Sequence, residues 1–164
     1  MHHLVSAIIK QLEAELATAI RANEEAHSSA THSENIATNR YDTLALEAAY
    51  LAHGQSMRIA DLQSSIALYR HFKWPHFDQN SLIQVGALVS LVNNEDAIQC
   101  LFIGPSSGGL RILGEPNNIQ ILTPSAPLAK ALLNKTVDDE IELKIKGQSQ
   151  HFTITDIQSV QQQS

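Results

Sequence analysis

The sequence contains a single cysteine, Cys100, among its 164 residues. One thiol excludes an internal disulfide framework and a zinc site built from several cysteines. Cys100 lies within the apolar run 97–103, where a small hydrophobic side chain packs readily. The sequence therefore predicts a buried, unreactive thiol in a chain made in a reducing compartment.

Long hydrophobic runs and aromatic side chains are also scarce. No stretch is long and apolar enough to span a membrane, and the N-terminus lacks the pattern of a secretory signal. A cytoplasmic protein without membrane contact is therefore expected. Aromatic residues make up only 5% of the chain, against 43% for all hydrophobic residues, so the core must be built from Leu, Ile, Val and Ala.

Basic residues are few and scattered. The formal net charge is −6, with 11 Lys and Arg, whereas free nucleic acid is normally held by clustered basic side chains. This balance argues against independent DNA or RNA binding. It still allows a protein that reaches nucleic acid through a partner which supplies the positive charge.

The first half of the chain carries two coiled-coil seams. In each seam, apolar and small residues recur at alternating spacings of about four and three, the pattern by which paired helices bury one face. The first seam consists of Val5, Ile9, Leu12, Leu16, Ala19, Asn23 and Ala26, and the second of Tyr41, Ala45, Ala48, Ala52, Gln55, Ile59, Leu62, Ile66 and Tyr69. The small polar residues of 26–35, between the seams, predict the bend of an antiparallel hairpin.

Pro75 marks the end of the second predicted helix, because proline disfavours helix at the residue before it and cannot continue one. The sequence accordingly predicts four segments. These are a coiled-coil hairpin over 1–74, a linker over 75–81, a second domain over 82–158 and a frayed, glutamine-rich tail over 159–164.

The second domain has the pattern of short strands around one helix. Runs 85–92, 98–103 and 119–122 are strand-like, and two alternating segments around Gly147 predict a closing hairpin. Ser125 is expected to cap a short helix over 127–133, and residues 105–109 are expected to form a loop. The predicted fold class is therefore α+β, an N-terminal antiparallel coiled-coil hairpin followed by a small antiparallel sheet domain with one helix.

Segment 123–143 carries the most specific motif of the sequence. It reads Thr-Pro-Ser-Ala-Pro-Leu-Ala-Lys-Ala-Leu-Leu-Asn-Lys-Thr-Val-Asp-Asp-Glu-Ile-Glu-Leu. This resembles the signature of the Gre transcript-cleavage factors, a Ser-Pro-(Ile/Leu)-Ala-(Arg/Lys)-Ala-Leu helix followed by a Gly-Lys-x-x-Gly-Asp turn. The matching residues are Pro127, Leu128, Ala129, Lys130, Ala131, Leu132, Lys135 and Asp139. Asn134 and Asp138 replace the two glycines, and both residue types tolerate a left-handed backbone.

The resemblance implies an FKBP-like C-terminal domain that docks on RNA polymerase near its secondary channel. The candidate polymerase-binding residues are Ser125, Pro127, Leu128 and Lys130. In this family the hairpin enters the channel, where acidic tip residues help the polymerase's own carboxylates hold a second Mg²⁺ for hydrolysis of backtracked RNA. The chain would then bind no cofactor alone, would not itself be an enzyme, and would meet the RNA 3′ end and Mg²⁺ only within the polymerase complex.

The predicted hairpin tip departs from the family pattern. The family reads Gly-Asp-x-x-Glu-Asn, and residues 30–35 here read Ala-Thr-His-Ser-Glu-Asn. Glu34, the candidate metal-assisting carboxylate, and Asn35 are kept, but Thr31 stands at the aspartate position. A neutral hydroxyl is a poor substitute for a carboxylate beside Mg²⁺, and Asp42 is a further acidic candidate on the other arm. The sequence therefore predicts weakened cleavage stimulation, or a non-cleaving modulator or inhibitor of RNA polymerase.

Each candidate residue on the hairpin also has a structural interpretation. Thr31 and Glu34 match a capping box, which predicts that the second helix starts near Thr31. His27 and His32 flank the tip but lack a metal-ligand spacing, so ordinary surface histidines are favoured over a metal site. The arginines are favoured as solvated coiled-coil charges over contacts to RNA or the channel wall; they are Arg21, Arg40 and Arg58.

Two further function classes compete with the polymerase regulator. A prolyl isomerase is suggested by the FKBP-like resemblance, but such a site needs an aromatic-lined pocket, and residues 75–164 offer only Phe77, Phe102 and Phe152. A coiled-coil scaffold or chaperone would self-associate, whereas a monomer is expected for the polymerase regulator. Lys130 and the loop 105–109 are equally open to interpretation as docking features or as ordinary surface.

Overall fold

The structure is a computed structural model that describes residues 3–34, 39–114 and 116–160. The chain divides into two compact units. One unit is Ile9–Arg70, and the other combines Met1–Ile8 with His71–Ser164. We refer to them as the hairpin unit and the sheet unit.

The hairpin unit consists of parts of two long helices, α1 (Leu4–Glu34) and α2 (Asn39–His71). Small and aliphatic side chains form one buried face on each helix, as the predicted seams require. The buried members within this unit are Leu12, Ala19 and Ala26 on α1, and Ala52, Leu62, Ile66 and Tyr69 on α2. The buried residues nearest the connection between the two helices are Ala19, Ala26 and Ala52. More apolar area is therefore buried farther from the connection, around Leu62 and Ile66.

Polar contacts between α1 and α2 fix the direction of pairing. Arg58 forms an ion pair with Glu15 at 2.7 Å, and the Ser56 hydroxyl lies 3.3 Å from the Asn23 side-chain oxygen. Arg70 also pairs with Glu13. Residue numbers on α2 fall as those on α1 rise, so the two helices run antiparallel, as predicted.

The predicted position of the bend is wrong. Residues 26–34 are helical, α1 continues to Glu34, and α2 begins only at Asn39. The capping-box prediction fails with it, because Thr31 and Glu34 both lie inside α1 rather than at the start of α2. An established helix gains a backbone hydrogen bond for each added residue, and Ala26 is still buried at 6% exposure, so propagation of α1 outweighs the local capping signal.

The sheet unit contains one six-stranded sheet and one short helix. The strands are β1 (Ala87–Asn93), β2 (Ile98–Ile103), β3 (Arg111–Ile112), β4 (Ile119–Leu122), β5 (Glu140–Ile145) and β6 (Gln148–Ser159), and the helix is α3 (Pro127–Leu132). Their order across the sheet is β3-β4-β2-β1-β6-β5. The α+β fold class is therefore confirmed.

One strand pair contradicts the predicted antiparallel sheet. β2 and β4 pair in parallel, with Cys100 opposite Ile119 and Ile103 opposite Leu122, so the sheet is mixed. Between β2 and β4 the chain forms β3, which pairs antiparallel with β4. Because β3 reverses the direction of the chain, β4 runs in the same direction as β2. β3 spans only two residues, which is too short for its alternation to be recognised in the sequence.

The core of the sheet unit lies between one face of the sheet and α3. Its most enclosed members are aliphatic, as the composition predicts, with Phe77 and Phe152 as the aromatic members. From α3, Ala129 and Leu132 are both 0% exposed. Burial of a large aliphatic side chain such as that of Leu132 stabilises the folded state by roughly 1.5–3 kcal/mol. This burial anchors the short helix to the sheet.

The segment after α2 is held to the sheet unit by packing and by one serine. The Trp74 ring lies 5.7 Å from that of Phe102, and a side chain at Gly86 would meet Pro75 Cδ at 2.8 Å. The Phe77 backbone N–H donates to Ser159 Oγ at 2.6 Å. Residues 74–77 are therefore fixed against β2 and the end of β6.

Two other features of the structure bear on the sequence predictions. Cys100 is half-buried rather than fully buried, because the first half of β2 is largely exposed. Among the described residues, no helix is long and apolar enough to cross a membrane.

Candidate functional site

The predicted tip residues fall at the ends of the two long helices. Thr31 and Glu34 belong to the last turn of α1, and Asp42 belongs to the first turn of α2. Asn35 lies outside the described residues, as do the side chains of the other three. The roles assigned to these residues, including that of Glu34 in binding a metal ion, stay predictions.

The predicted docking residues lie at and before the first turn of α3. Ser125, Pro127 and Lys130 are exposed, whereas Leu128 is half-buried against the core. Pro127 is the first residue of α3, a position that suits proline because the first helical N–H needs no partner within the helix. The segment therefore presents two polar side chains and a proline ring to solvent, while Leu128 also anchors it.

The predicted capping role of Ser125 is wrong. The residue that caps α3 is Ala126, and it makes no side-chain capping hydrogen bond. The Ser125 hydroxyl lies instead 3.1 Å from Thr123 Oγ1. Proline at the first helical position reduces the number of N–H groups that need a cap, which removes much of the demand for a capping side chain.

The loop 105–109 lies against the segment before α3. A side chain at Gly108 would meet the Thr123 side chain at 3.2 Å, and the Gly109 N–H donates to the Ile121 carbonyl at 2.9 Å. Gly109 has φ of 92°, a conformation that glycine adopts without strain. We call the loop 105–109 together with Ser125, Pro127 and Lys130 the docking surface; the loop lies beside Thr123, whose hydroxyl contacts that of Ser125 just before α3.

The turn after α3 adopts the backbone that the motif demands. Asn134 has φ of 64° and Asp138 has φ of 70°, so both residues are left-handed, as predicted from their replacement of glycine. This turn is bonded to the segment before β1, since the Asn134 N–H donates to the Ile83 carbonyl at 3.0 Å and the Ile83 N–H donates to the Lys135 carbonyl at 2.8 Å. The Asp138 N–H then donates to Ile154 at 2.8 Å, which fixes the entry into β5.

The hairpin arginines that the structure describes make contacts within the hairpin. Arg58 is paired with Glu15, and Arg21 lies 3.5 Å from the Thr18 hydroxyl. The side chain of Arg40 lies outside the described residues. The ion pair of Arg58 favours its interpretation as a solvated coiled-coil charge.

In the part of the chain that the structure describes, the side chains that could bind a metal ion are not grouped into a site. No cluster of three or more His, Cys, Asp or Glu side chains occurs there. His27 is exposed on α1, and the side chain of His32 is not among those described.

Three described residues have shifted pKa values, and they lie in separate parts of the fold. The Ser81 hydroxyl and the Asn80 N–H hold the pKa of the exposed Asp78 carboxyl below its ordinary value. The Ser149 hydroxyl lowers the pKa of Glu142 in the β5–β6 hairpin. Burial raises the pKa of the Tyr69 phenol well above its usual range. Hydrogen bonding to a carboxylate favours its charged form, so these bonds hold Asp78 within its turn and join Glu142 of β5 to Ser149 of β6.

Comparison with known proteins places the strongest similarity in the sheet unit. The family model described as "Transcription elongation factor, GreA/GreB, C-term" matches residues 111–159. Transcription elongation factor GreA of Psychromonas ingrahamii is 26% identical over 105 residues, which covers 63% of this chain and 62% of that protein. The chain thus matches less than two thirds of that relative's length.

The solved structures that match this chain do so at lower sequence identity and with TM-scores below 0.5. Gfh1 of Thermus aquaticus is 18% identical, with a TM-score of 0.39 over 94% of this chain and 96% of that chain. A transcription elongation factor GreA/GreB from Nitrosomonas europaea is 16% identical, with a TM-score of 0.38 over 59% of this chain and 78% of that chain.

Proposed function

We propose that this chain is a member of the Gre family of transcription elongation factors, on the strength of its family-model match and its likeness to GreA, and that it regulates RNA polymerase from the secondary channel. In this proposal the docking surface contacts the polymerase near the channel entrance. The hairpin enters the channel, and its tip approaches the active centre. The protein supplies no reaction centre of its own.

The C-terminal motif is the observation that carries the proposal. The family match covers residues 111–159, which include α3 and both left-handed turns. Asn134 and Asp138 adopt positive φ where the family pattern has glycine, so the backbone of the motif is preserved despite the two substitutions. The same stretch exposes Ser125, Pro127 and Lys130, which gives the proposed partner a contact surface.

The two long helices support the proposed use of the hairpin. α1 has 31 residues and α2 has 33, which corresponds to about 45–50 Å of helix at the usual rise per residue. Towards the connection between them, the buried face is made of Ala19, Ala26 and Ala52. Small side chains on the facing surfaces allow a narrow pair of helices, which suits entry into a channel.

The chemistry available at the tip favours modulation over strong cleavage. Mg²⁺ prefers several anionic oxygens in near-octahedral geometry, and the motif at residues 30–35 supplies one carboxylate, Glu34, beside the neutral Thr31 and Asn35. This donor set does not fit Mg²⁺ unaided, so any metal would be held chiefly by the polymerase's carboxylates. We propose that Glu34 assists weakly, and that occupation of the channel is the main effect.

A transcript-cleavage assay tests the proposed chemistry. Purified RNA polymerase stalled in a backtracked complex with end-labelled RNA is incubated with Mg²⁺ and the wild-type protein, Glu34→Ala or Thr31→Asp. We expect slow or undetectable RNA shortening with the wild type and faster shortening with Thr31→Asp. Restoring one carboxylate beside the metal corresponds to roughly a tenfold or larger change in rate.

The controls separate the tip chemistry from binding. Glu34→Ala should remove any residual shortening without changing competition against an authentic Gre factor. An unchanged rate for Thr31→Asp would contradict the explanation based on Thr31. If the wild type neither shortened the RNA nor competed with the Gre factor, the proposal of channel binding would be wrong.

A further inference from the structure

A small polar cavity opens on the sheet unit where β2, β4 and β3 meet. Its volume is about 260 Å³. Arg111 pairs with Gln120 across β3 and β4, and Gln120 pairs with Leu101 across β4 and β2. Paired residues of neighbouring strands share a face, so these three side chains form one row across the sheet. Leu101 belongs to the core, and the row continues the core face to the β3 edge.

The lining combines one cation with several amides. Gln99, two residues before Leu101, projects from the same face, and two further amides complete the wall; they are Asn117 and Asn118. Within the described residues, none of the lining side chains is acidic, and Arg111 takes part in no ion pair. The guanidinium and the amide NH₂ groups therefore offer several hydrogen-bond donors to one small space.

This arrangement selects the chemistry of the ligand. A guanidinium presents a planar fork of donors that matches a carboxylate through two parallel hydrogen bonds. A single positive charge balances a carboxylate but leaves a phosphate dianion only half neutralised. The amide side chains carry acceptors as well as donors, which suits the N–H and C=O groups of a peptide next to its carboxylate.

Apolar surface beside the cavity fits the same ligand. Ile98, a lining residue, is 58% exposed, and Leu113, two residues after Arg111, is 83% exposed. A short peptide would place its carboxylate at Arg111 and an apolar side chain near Leu113.

We propose that this cavity, the Arg111 site, binds a carboxylate of a peptide segment from another protein. The site is independent of the proposed channel function. Because the whole chain has a net charge of −6, binding of an anion here depends on the local guanidinium rather than on the overall field. Binding of an isolated short peptide is expected to be weak, with a Kd of about 1 mM, and to weaken further as salt screens Arg111.

An NMR titration of the full chain tests the Arg111 site. The probes are N-acetyl-trialanine with a free carboxylate, the same peptide as its amide, N-acetyl-Ala-Asp-Ala-amide, and inorganic phosphate. We expect the free carboxylate to shift the side-chain NH₂ signals of Gln99 and Gln120, with the amide binding about tenfold more weakly. The aspartyl peptide tells whether a side-chain carboxylate serves as well as a terminal one.

Two variants distinguish a built site from general charge attraction. Arg111→Gln should weaken carboxylate binding about tenfold, whereas Lys144→Gln, which removes the same charge from the opposite edge strand β5, should change it less than about twofold. The proposal is overturned if Arg111→Gln binds like the wild type, if the amide binds as well as the carboxylate, if no peptide shifts these signals, or if phosphate binds more tightly than the peptides.

Discussion

At the scale of single residues, the turn after α3 depends on two side chains that tolerate an uncommon backbone. Asn134 and Asp138 have φ of 64° and 70°, a region that costs an ordinary L-residue about 1–2 kcal/mol. Short polar side chains reduce that strain because they interact favourably with their own backbone. The chain therefore keeps both turns of the motif without glycine.

Substitutions at Asn134 test the role of this backbone. Asn134→Ala should lower the free energy of unfolding by about 1 kcal/mol, whereas Asn134→Gly should leave it within about 0.5 kcal/mol of the wild type. Urea unfolding followed by the fluorescence of Trp74, the only tryptophan, reports on the sheet unit. Asn80→Ala is the control, since Asn80 is exposed and is not among the residues with positive φ. Equal effects of Asn134→Ala and Asn134→Gly would contradict the explanation.

Asp78 gives a residue-scale prediction about pH. Its pKa is lowered chiefly by the Ser81 hydroxyl, with help from the Asn80 N–H and His76. A carboxyl whose pKa is lower in the folded than in the unfolded state adds stability above the unfolded pKa, and that stability is lost as pH falls through the folded pKa. The stability difference between the wild type and Asp78→Asn should therefore shrink as pH is lowered from about 5 to about 2.

The same titration has a direct spectroscopic measure. The carboxyl ¹³C shift of Asp78, followed against pH in the full chain, should have its midpoint below the ordinary aspartate value of about 3.9. A midpoint at or above that value would show that the hydrogen bonds from Ser81 and Asn80 do not stabilise the charged form.

At the scale of elements, the hairpin is held by one face of each helix. Leu62 is 4% exposed, whereas Met57 on the same helix is 57% exposed. Leu62→Ala should lower the free energy of unfolding of the hairpin by about 2–5 kcal/mol, and Met57→Ala should change it by less than about 0.5 kcal/mol. Far-UV circular dichroism during thermal unfolding measures both. Similar losses for the two variants would mean that the predicted seam does not describe the packing.

Sequence patterns predicted the elements that carry strong local signals. The runs 98–103 and 119–122 were expected as strands and are β2 and β4, because short, mainly apolar runs bounded by turn residues favour strands. The pairing of these two strands was predicted wrongly. Whether neighbours run parallel depends on the path of the chain between them, here through the two-residue β3, and no local pattern records that path.

The limits of α1 and α3 show a second way in which local signals fail. The capping residues Thr31 and Ser125 were both expected to begin helices, and neither does. In α1 the helix continues along its buried face. In α3 the proline at the first position leaves fewer N–H groups that need a capping side chain. Capping preferences are worth about 1 kcal/mol, so packing and chain geometry readily override them.

At the scale of the whole molecule, the candidate docking surface was only partly predictable. The sequence identified Ser125, Pro127 and Lys130 from the motif, and left the loop 105–109 open between docking and ordinary surface. Their proximity arises because the Gly109 N–H bonds to Ile121 of β4, just before the segment that leads into α3. Such proximity depends on the tertiary fold and cannot be recognised in the sequence. The same holds for the Arg111 site, which forms only when β2, β4 and β3 pair in the observed register.

The net charge of the whole chain also affects which partners it can bind. The net charge of −6 disfavours binding to free nucleic acid, which fits the proposal that the protein reaches transcribing complexes through contacts with the polymerase. Lys130 is an exposed cation of the docking surface, and we expect it to contribute to those contacts.

Displacement of an authentic Gre factor from RNA polymerase tests whether this protein binds at the secondary channel. A fluorescently labelled Gre factor bound to core polymerase is titrated with this protein, with Lys130→Glu and with the control Lys144→Glu. We expect full displacement by the wild type and about tenfold weaker displacement by Lys130→Glu. Lys144→Glu should displace the labelled factor about as well as the wild type. A wild type that leaves the labelled factor bound, at concentrations where the unlabelled Gre factor removes it, would contradict the account.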